Sequence, residues 1–311
     1  MLLIWHQNEG SFAALTEIMN RFFICVLGMV VLGLPARLVS AKLGATQSPA
    51  EDHVKLELVS EQNAFVPGEE LLLGVRFILE DGWHTYWVNP GDSGEAPRIE
   101  WHLPRGFQTG AIQWPYPERL TTPPFTDYGY EHEVLLMVPV RLPAELKEGG
   151  AEKMAAQVHF LVCRDVCIPG QKQLELSLPV ENRVAASRAR ELFAAARARV
   201  PKPTPRNWRV SAASMGGEFI LDLHIGEPPK VLQFFPLYAE QIENAAWQDV
   251  TVIPGGVRLH LKKSNHLLKP IARLQGVIVV VDSARAYSVD IPVSRSIKMP
   301  THKWRTKERT L

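Results

Sequence analysis

The chain has 311 residues, with 34 Lys and Arg against 33 Asp and Glu, for a formal net charge of +1. So even a balance gives no sign of a nucleic-acid partner held by bulk charge, and 46% hydrophobic with 22% charged residues exclude a disordered chain. The length accommodates two domains with cores of their own, and 24 Pro with 21 Gly supply the turns of a β-rich architecture.

Phe22 to Leu34 is an uninterrupted apolar run preceded by Arg21, and Val39-Ser40-Ala41 offers small residues at the spacing of a signal-peptidase site. The run is shorter than the roughly 20 residues that cross a bilayer. Residues 1–41 are therefore read as a cleaved signal peptide, with an uncleaved anchor as the alternative. Glu9 and Glu17 fit badly in a positive leader, which puts the expected start at Met19. Cys25 sits inside the apolar run and is not read as a lipidated cysteine. No later segment approaches a membrane span. Export places the mature chain in the periplasm, an oxidising compartment where disulfides persist.

Residues 42–51 form a polar leader. From His53, Val54, Leu56 and Leu58 alternate with Lys55 and Glu57, the pattern of a half-buried strand. Val66-Pro67-Gly68-Glu69 is a turn, and Leu71 to Leu79 is a strand apolar on both faces, ended by Asp81-Gly82. Short strands between Gly/Pro turns at this density predict an antiparallel sandwich. Trp83, Trp87 and Trp101 are expected in its core, and Asn89-Pro90-Gly91-Asp92 in a loop. Phe125 to Glu131 (FTDYGYE) reads as a Gly-containing aromatic loop ahead of the strand Val134 to Val140. Aromatics on a loop either pack against the surface or cover a reactive group.

Gln157 to Val162 is a buried type of strand running into Val162-Cys163-Arg164-Asp165-Val166-Cys167-Ile168-Pro169-Gly170. Leu174, Leu176 and Leu178 mark the return strand. Two of the chain's 3 cysteines are here. On a straight strand their Cα atoms would lie roughly 13 Å apart, whereas a disulfide needs them within about 7 Å. A bridge forms only if the chain bends, as in a helical turn or a tight hairpin tip. Arg164-Asp165 suits the tip, and Pro169-Gly170 reads as turn chemistry just after it. So short a loop gains only about 2 kcal/mol from closure, against roughly 4–5 kcal/mol for one of a hundred residues. A close pair is thus poorly explained as reinforcement. Redox exchange, a local staple and metal binding all stay open. Arg164 favours a neighbouring thiolate and Asp165 opposes one.

From Asn182 the period changes. Val184, Ala185, Arg188, Leu192 and Ala195-Ala196 predict a helix with a basic outer face, stopped by Pro201, Pro203 and Pro205. Residues 182–206 are read as a helical and Pro-rich linker between a domain at 52–181 and a second β-rich domain at 207–294. In the second half, Phe219 to Ile225 is a strand. Val250 to Ile253 with Val257 to Leu261, and Gly276 to Val281 with Ala286 to Val293, are hairpins. No chemistry is read there. Residues 295–311 form a basic tail.

Three motifs in order, Gly82-Trp83-His84-Thr85-Tyr86-Trp87-Val88-Asn89-Pro90-Gly91-Asp92-Ser93-Gly94, Tyr128-Gly129-Tyr130-Glu131 and Val162 to Gly170, resemble the extracytoplasmic N-terminal region of the DsbD/ScsB family. These are thiol:disulfide interchange proteins and their copper-tolerance relatives. The resemblance covers about residues 52–293. It implies a mainly β fold, two immunoglobulin-like antiparallel sandwiches joined by the helix and the Pro-rich linker. It further implies a redox pair, Cys163 and Cys167, flanked by Arg164 and Asp165. The pair would be shielded by a cap loop at Phe125, Asp127 and Tyr128, with Tyr128 the better cover.

By the same resemblance, the pair takes electrons from a membrane-embedded partner and passes them to periplasmic thioredoxin-like or other disulfide-bonded proteins, as a protein-disulfide reductase component. The family pattern continues into a transmembrane conduit and a thioredoxin-like domain. The expectation here is a stand-alone module, a truncated product or a member with another role. The cysteine spacing is tighter than in the best-known DsbD proteins and closer to the ScsB-like branch. Exchange would need no metal or organic cofactor, and Cys167 is the expected attacking residue. The rivals are a copper-tolerance-related metal module using His159, Cys163 and Cys167, and an interaction module with a structural disulfide. His159 precedes Cys163 by four residues on a strand, roughly 13 Å away.

Overall fold

The computed structural model describes residues 48–183 and 185–295. The expected signal peptide, its Cys25, most of the polar leader, Val184 and the tail beyond 295 lie outside the described residues. Among the described residues no helix is long and apolar enough to cross a membrane.

The first half runs through β1 (Val54–Ser60), β2 (Glu70–Leu79), β3 (His84–Gly91), β4 (Arg98–His102) and β5 (Gln108–Thr109). It continues with β6 (Glu118–Thr122), β7 (Phe125–Glu131), β8 (Glu133–Arg141), β9 (Ala151–Cys163) and β10 (Cys167–Pro179). These make two sheets, ordered β1-β2-β8-β5 and β10-β9-β3-β7-β6, with β4 also paired to β9. Alternation does the sorting: Val75, Phe77 and Leu136 from one sheet meet Trp87, Tyr130, Val158 and Phe160 from the other, all buried in one core. Phe77 and Phe160 meet edge to face at 5.9 Å across the layers.

Trp83 and Trp87 are buried as expected, whereas Trp101 is only half-buried on the outlying β4. Three segments differ from the sequence reading. Asn89 to Gly91 end β3 rather than forming a loop, because an irregularity after Tyr86 lets Gly91 pair with Asp127. Phe125 to Glu131 is strand β7, not a loop. Gly129 lets it lie against β3, since a Cβ there would stand 2.1 Å from the Thr85 carbonyl oxygen. Pro169-Gly170 lies within β10 rather than in a turn. Proline is tolerated because β10 is an edge strand, with the Pro169 carbonyl accepting from Ser48 Oγ at 3.2 Å. Gly170 leaves room for the Phe160 ring, whose Cζ would be 2.4 Å from an added Cβ.

The helix is shorter than its periodicity predicts, α1 (Arg190–Arg199). The residues before it are claimed by the first sandwich: Asn63 N–H donates to Ala185 O, and Ser187 N–H donates to Glu61 O. Nor is α1 a free spacer. Phe193 and Ala196 are buried with Leu135 and Met137 of β8, and Arg197 grips both carboxylate oxygens of Glu61 at 2.7 and 2.8 Å.

The proline segment is likewise paired: β11 (Lys202–Pro203) runs parallel to a later strand through Lys202–Tyr287 and Pro203–Ser288. The second half then adds β12 (Arg209–Met215), β13 (Glu218–His224), β14 (Leu232–Pro236), β15 (Asp249–Ile253), β16 (Gly256–Lys262), β17 (Arg273–Val280) and β18 (Arg285–Ser294). Their order is β14-β17-β18-β12-β13-β16-β15. The two halves of this sheet close on a shared core, where Phe219, Leu221 and Leu259 meet Phe234, Ile278 and Ile291. The β12–β18 junction is parallel, which the sequence pattern does not reveal. The fold class is as expected: mainly β, two β-rich domains linked by one helix, consistent with immunoglobulin-like sandwiches.

Replacing Gly129 by Ala forces β3 and β7 apart, so Gly129→Ala should cost roughly 2–4 kcal/mol in urea unfolding. Gly217→Ala, where an added Cβ meets nothing within 4 Å, should stay within about 0.5 kcal/mol of the parent.

Candidate functional site

The β9–β10 hairpin sets the site. All 13 residues of β9 pair with the 13 of β10, from Ala151–Pro179 at the open end to Cys163–Cys167 at the tip. Inward positions Met154, Ala156, Val158, Phe160 and Val162 anchor the register in the core. Arg164, Asp165 and Val166 make the turn, so the cysteines face each other across the ladder with Cα atoms 4.1 Å apart, joined as a disulfide. The two halves of the bond differ in access: Cys163 is 2% exposed, whereas Cys167 lies on the exposed tip.

Strand β3 forms the wall behind the bond. His84 pairs with Cys163 in the ladder, and Thr85 Oγ1 donates to Leu161 O at 3.1 Å. Tyr86, two residues on and fully buried, reaches the sulfur atoms. Its hydroxyl donates to Cys163 Sγ at 2.8 Å and lies 3.6 Å from Cys167 Sγ. Burial pushes the Tyr86 phenol up to about 12, with the Ser93 hydrogen bond opposing, so it is a proton-bearing donor at neutral pH. Gly94 lies on the Tyr86 ring; a Cβ there would fall 2.1 Å from Cζ, and its φ of +81° already favours glycine.

Asp127 on β7 lies behind this wall, 7% exposed. Its carboxylate accepts from Ser93 N–H and Ser93 Oγ, both at 2.9 Å, and Oδ2 is 3.9 Å from His84 Nε2. Burial raises the Asp127 carboxyl while the Ser93 bonds oppose it. Burial lowers the His84 imidazole, with Glu131 opposing, and Nε2 has no hydrogen-bond partner. The pair is therefore a neutral imidazole beside a carboxyl group, not an ion pair at neutral pH. The strap 92–97 thus runs over Tyr86, fastened at Ser93 to Asp127 and at Asp92, whose Oδ2 accepts from Thr126 N–H at 2.8 Å.

The residues singled out from sequence are distributed unevenly. Arg164 and Asp165 are exposed at the tip and bonded to each other at 3.0 Å, so each charge meets its neighbour. The Arg164 guanidinium lies 5.1 Å over Trp83, itself stacked on His53 at 3.9 Å. Of the expected cap, Asp127 is beside the site. Tyr128, on the opposite face of β7, turns away: its hydroxyl donates to Asn244 Oδ1 at 2.8 Å and its ring meets Phe235. Phe125 is half exposed at the start of β7. Strand alternation, which a loop would not impose, separates Asp127 from Tyr128, while Phe125 shares the Asp127 face at the exposed start of the strand.

Tyr86 takes the position expected of Tyr128. Its signal was the His84-x-Tyr86 spacing, which puts both polar tips on one face of a strand; what they faced was not legible. His159 pairs with Gln171 and has Nε2 3.6 Å from Glu100 Oε1. Among the described residues no group of three or more His, Cys, Asp and Glu side chains could hold a metal ion.

These shifts give a pH test. A carboxyl raised by burial favours the folded state below its ordinary pKa, and that contribution is lost as pH rises through the raised value. Asp127→Asn should therefore stabilise the chain more at pH about 7 than at about 4, as read by denaturant unfolding at the two values. His84 has the opposite sense, contributing above its ordinary value and losing that contribution as pH falls, so Asp127→Asn should leave an acid-side loss in place.

A family model described as thiol:disulfide interchange protein DsbD, N-terminal, matches residues 55–179, from β1 to the end of β10. Among solved structures, the chain is similar to the N-terminal periplasmic domain of ScsB from Proteus mirabilis, with a TM-score of 0.61 and 16% identity over 81% of this chain and 97% of that one. At this identity the likeness is one of fold. The pilin subunit BcpA of Bacillus cereus (TM-score 0.24, 10% identity, 77% of this chain and 67% of that chain) carries no argument at that score. Neither does the periplasmic chaperone SfaE (TM-score 0.19, 7% identity, 77% of this chain and 100% of that chain). No curated protein matches the chain. The resemblance read from the three motifs is met over residues 55–179, which match the model of the N-terminal region of the thiol:disulfide interchange protein DsbD and include both Cys163 and Cys167.

Proposed function

We propose that the chain is a periplasmic thiol–disulfide exchange module, a protein-disulfide reductase component whose working pair is Cys163 and Cys167. The observation that carries this is the asymmetry of the bond. One cysteine is exposed on a hairpin tip, and the other is buried beneath the Tyr86 hydroxyl. A staple would gain nothing from one open sulfur, whereas exchange requires that an incoming thiolate or disulfide reach it along the S–S axis.

In the reduced module the Cys167 thiolate attacks one sulfur of a target disulfide. The S–S bond of the target breaks, its second sulfur leaves as a thiolate and takes a proton, and a mixed disulfide through Cys167 forms. The Cys163 thiolate then attacks Cys167 Sγ, re-forming the internal bond and releasing the target's first sulfur as a thiolate. Two electrons pass to the target, and the internal pair is oxidised. A membrane-embedded dithiol partner would restore the reduced pair by the reverse exchange. Thioredoxin-like or other disulfide-bonded periplasmic proteins would be the targets.

In the reverse exchange Cys163 is the leaving sulfur, and the Tyr86 hydroxyl is positioned to stabilise its thiolate by a hydrogen bond in a site with little water. Arg164 and Asp165 flank the open sulfur as a mutually neutralising pair. The strap with Tyr86 and Asp127, rather than Tyr128, supplies the cover.

Two single variants test this. Cys163→Ala, mixed with an oxidised thioredoxin-like protein, should accumulate a covalent complex through Cys167 on non-reducing gels, while Cys167→Ala should not. Absence of a complex with both variants removes exchange as the chemistry. Tyr86→Phe should slow opening of the pair by a dithiol about tenfold, the size of effect that loss of one hydrogen bond to a charged group brings.

A further inference from the structure

Among the contacts of the second sandwich with β3 and β7, the side chain of Asn244 bridges the strap over the redox site. Asn244 is 5% exposed, in a turn tied down by Ala246 N–H donating to Glu243 O and by Glu243 N–H donating to Lys262 O. Its amide bridges two groups of the first sandwich. Oδ1 accepts from Tyr128 Oη at 2.8 Å, and Nδ2 donates to Asp92 Oδ1 at 2.8 Å. The same turn is gripped from outside by Arg119 of β6, which donates to the Asn244 and Ala246 carbonyls.

Asp92 and Tyr128 are not arbitrary attachment points. Asp92 opens the strap over Tyr86, and its other carboxylate oxygen holds Thr126 N–H. Thr126 and Tyr128 are the two neighbours of Asp127, whose carboxylate holds Ser93. One amide therefore fixes both the start of the strap and the strand segment to which the strap is fastened. A carboxylate such as Asp92, mostly taken up by protein donors, would lose one of them with no replacement of equal geometry.

We infer that Asn244 is a positioning residue for the cysteine pair: by bridging Asp92 and Tyr128 it holds the 92–97 strap down on Tyr86 and so sets how readily the Cys163–Cys167 bond opens. The second sandwich, which offers no reactive group of its own to the pair, thereby governs the pair's reactivity. An amide does this at every pH, because it carries both an acceptor for the Tyr128 hydroxyl and a donor for Asp92 and does not titrate. The inference rests on the exchange reading for its meaning, but its test uses a small dithiol and no protein partner. Failure to trap targets and failure here are separate results.

The experiment measures the rate at which excess dithiothreitol opens the pair in the oxidised full chain, with the new thiols blocked by alkylation and counted by mass. Asn244→Ala should open about tenfold faster than the parent. Asn244→Asp keeps an acceptor for Tyr128 but faces Asp92 with a second carboxyl; the groups around it are Asp92, Tyr128 and Arg119. Two adjacent carboxyls share a proton at low pH and lose it as pH rises, so this variant should match the parent near pH about 5 and behave like Asn244→Ala near about 8. Its rate relative to the parent at each pH cancels the titration of the reductant. That within-protein comparison also stands should Asn244→Ala fold poorly.

Asp222→Asn serves as the control, since it weakens the Arg258–Asp222 pair at 2.6 and 2.8 Å within the second sandwich without touching the bridge. It should leave the rate unchanged. Parent-like rates for both Asn244 variants at every pH would overturn the proposal. So would an equal acceleration by Asp222→Asn, which would trace the effect to general loosening of the second sandwich.

Discussion

The site depends on the register of one hairpin. Cys163 and Cys167 meet because β9 and β10 pair without a slip from the open end to the tip. A shift by one residue would turn the alternating Met154, Ala156, Val158, Phe160 and Val162 out of the core and carry Cys163 to the opposite face. The cost of moving that many buried side chains into water, about 25 cal/mol per Å² of apolar surface, far exceeds what closing a very short disulfide loop contributes. Packing places the cysteines, and the bond does not have to. A pair held in place by its surroundings can be opened and closed without the hairpin being lost, which is what an exchange site requires.

Around that hairpin the polar groups are gathered on one wall and kept from water. Tyr86, His84 and Asp127 are each buried, and each is pushed toward its uncharged form by burial. Burying such groups costs least when their hydrogen-bonding capacity is met, and His84 Nε2, without a hydrogen-bond partner, is the exception here. Ser93 meets that of Asp127 twice, and the sulfur of Cys163 receives the Tyr86 hydroxyl. The outer side of the bond, by contrast, carries Arg164 and Asp165 in water, where a charge pair is worth little. The bond separates a dry wall from a wet tip, and its two sulfur atoms differ in access accordingly.

Much of this was legible in the residues. The alternation of Val54, Leu56 and Leu58, the apolar run of β2 and both hairpins of the second sandwich follow from period and turn chemistry. The Cys163-to-Cys167 spacing demanded a bend, and Arg164-Asp165 sat where the bend occurs. What was not legible depended on partners distant in sequence. Phe125 to Glu131 carries a glycine and polar residues that read locally as a loop, yet Gly129 is there to admit the Thr85 carbonyl across the ladder. Pro169 reads as a turn residue unless the strand is known to be at an edge. Tyr86 was not singled out as a site residue because the sulfur it faces is 77 residues away. The helix was overextended because Ala185 and Ser187 hydrogen-bond to residues near 60, which no periodicity reports.

Pro169 has a consequence beyond its place in the strand. At that point the free margin of the sheet has no amide hydrogen to offer, and the carbonyl beside it is already taken by Ser48. Another protein approaching the tip therefore finds no backbone ladder to extend there. On the proposed exchange reading, a target's grip would come from side chains and from the sulfur itself, so that once the electrons had moved, little would remain to keep the two molecules together.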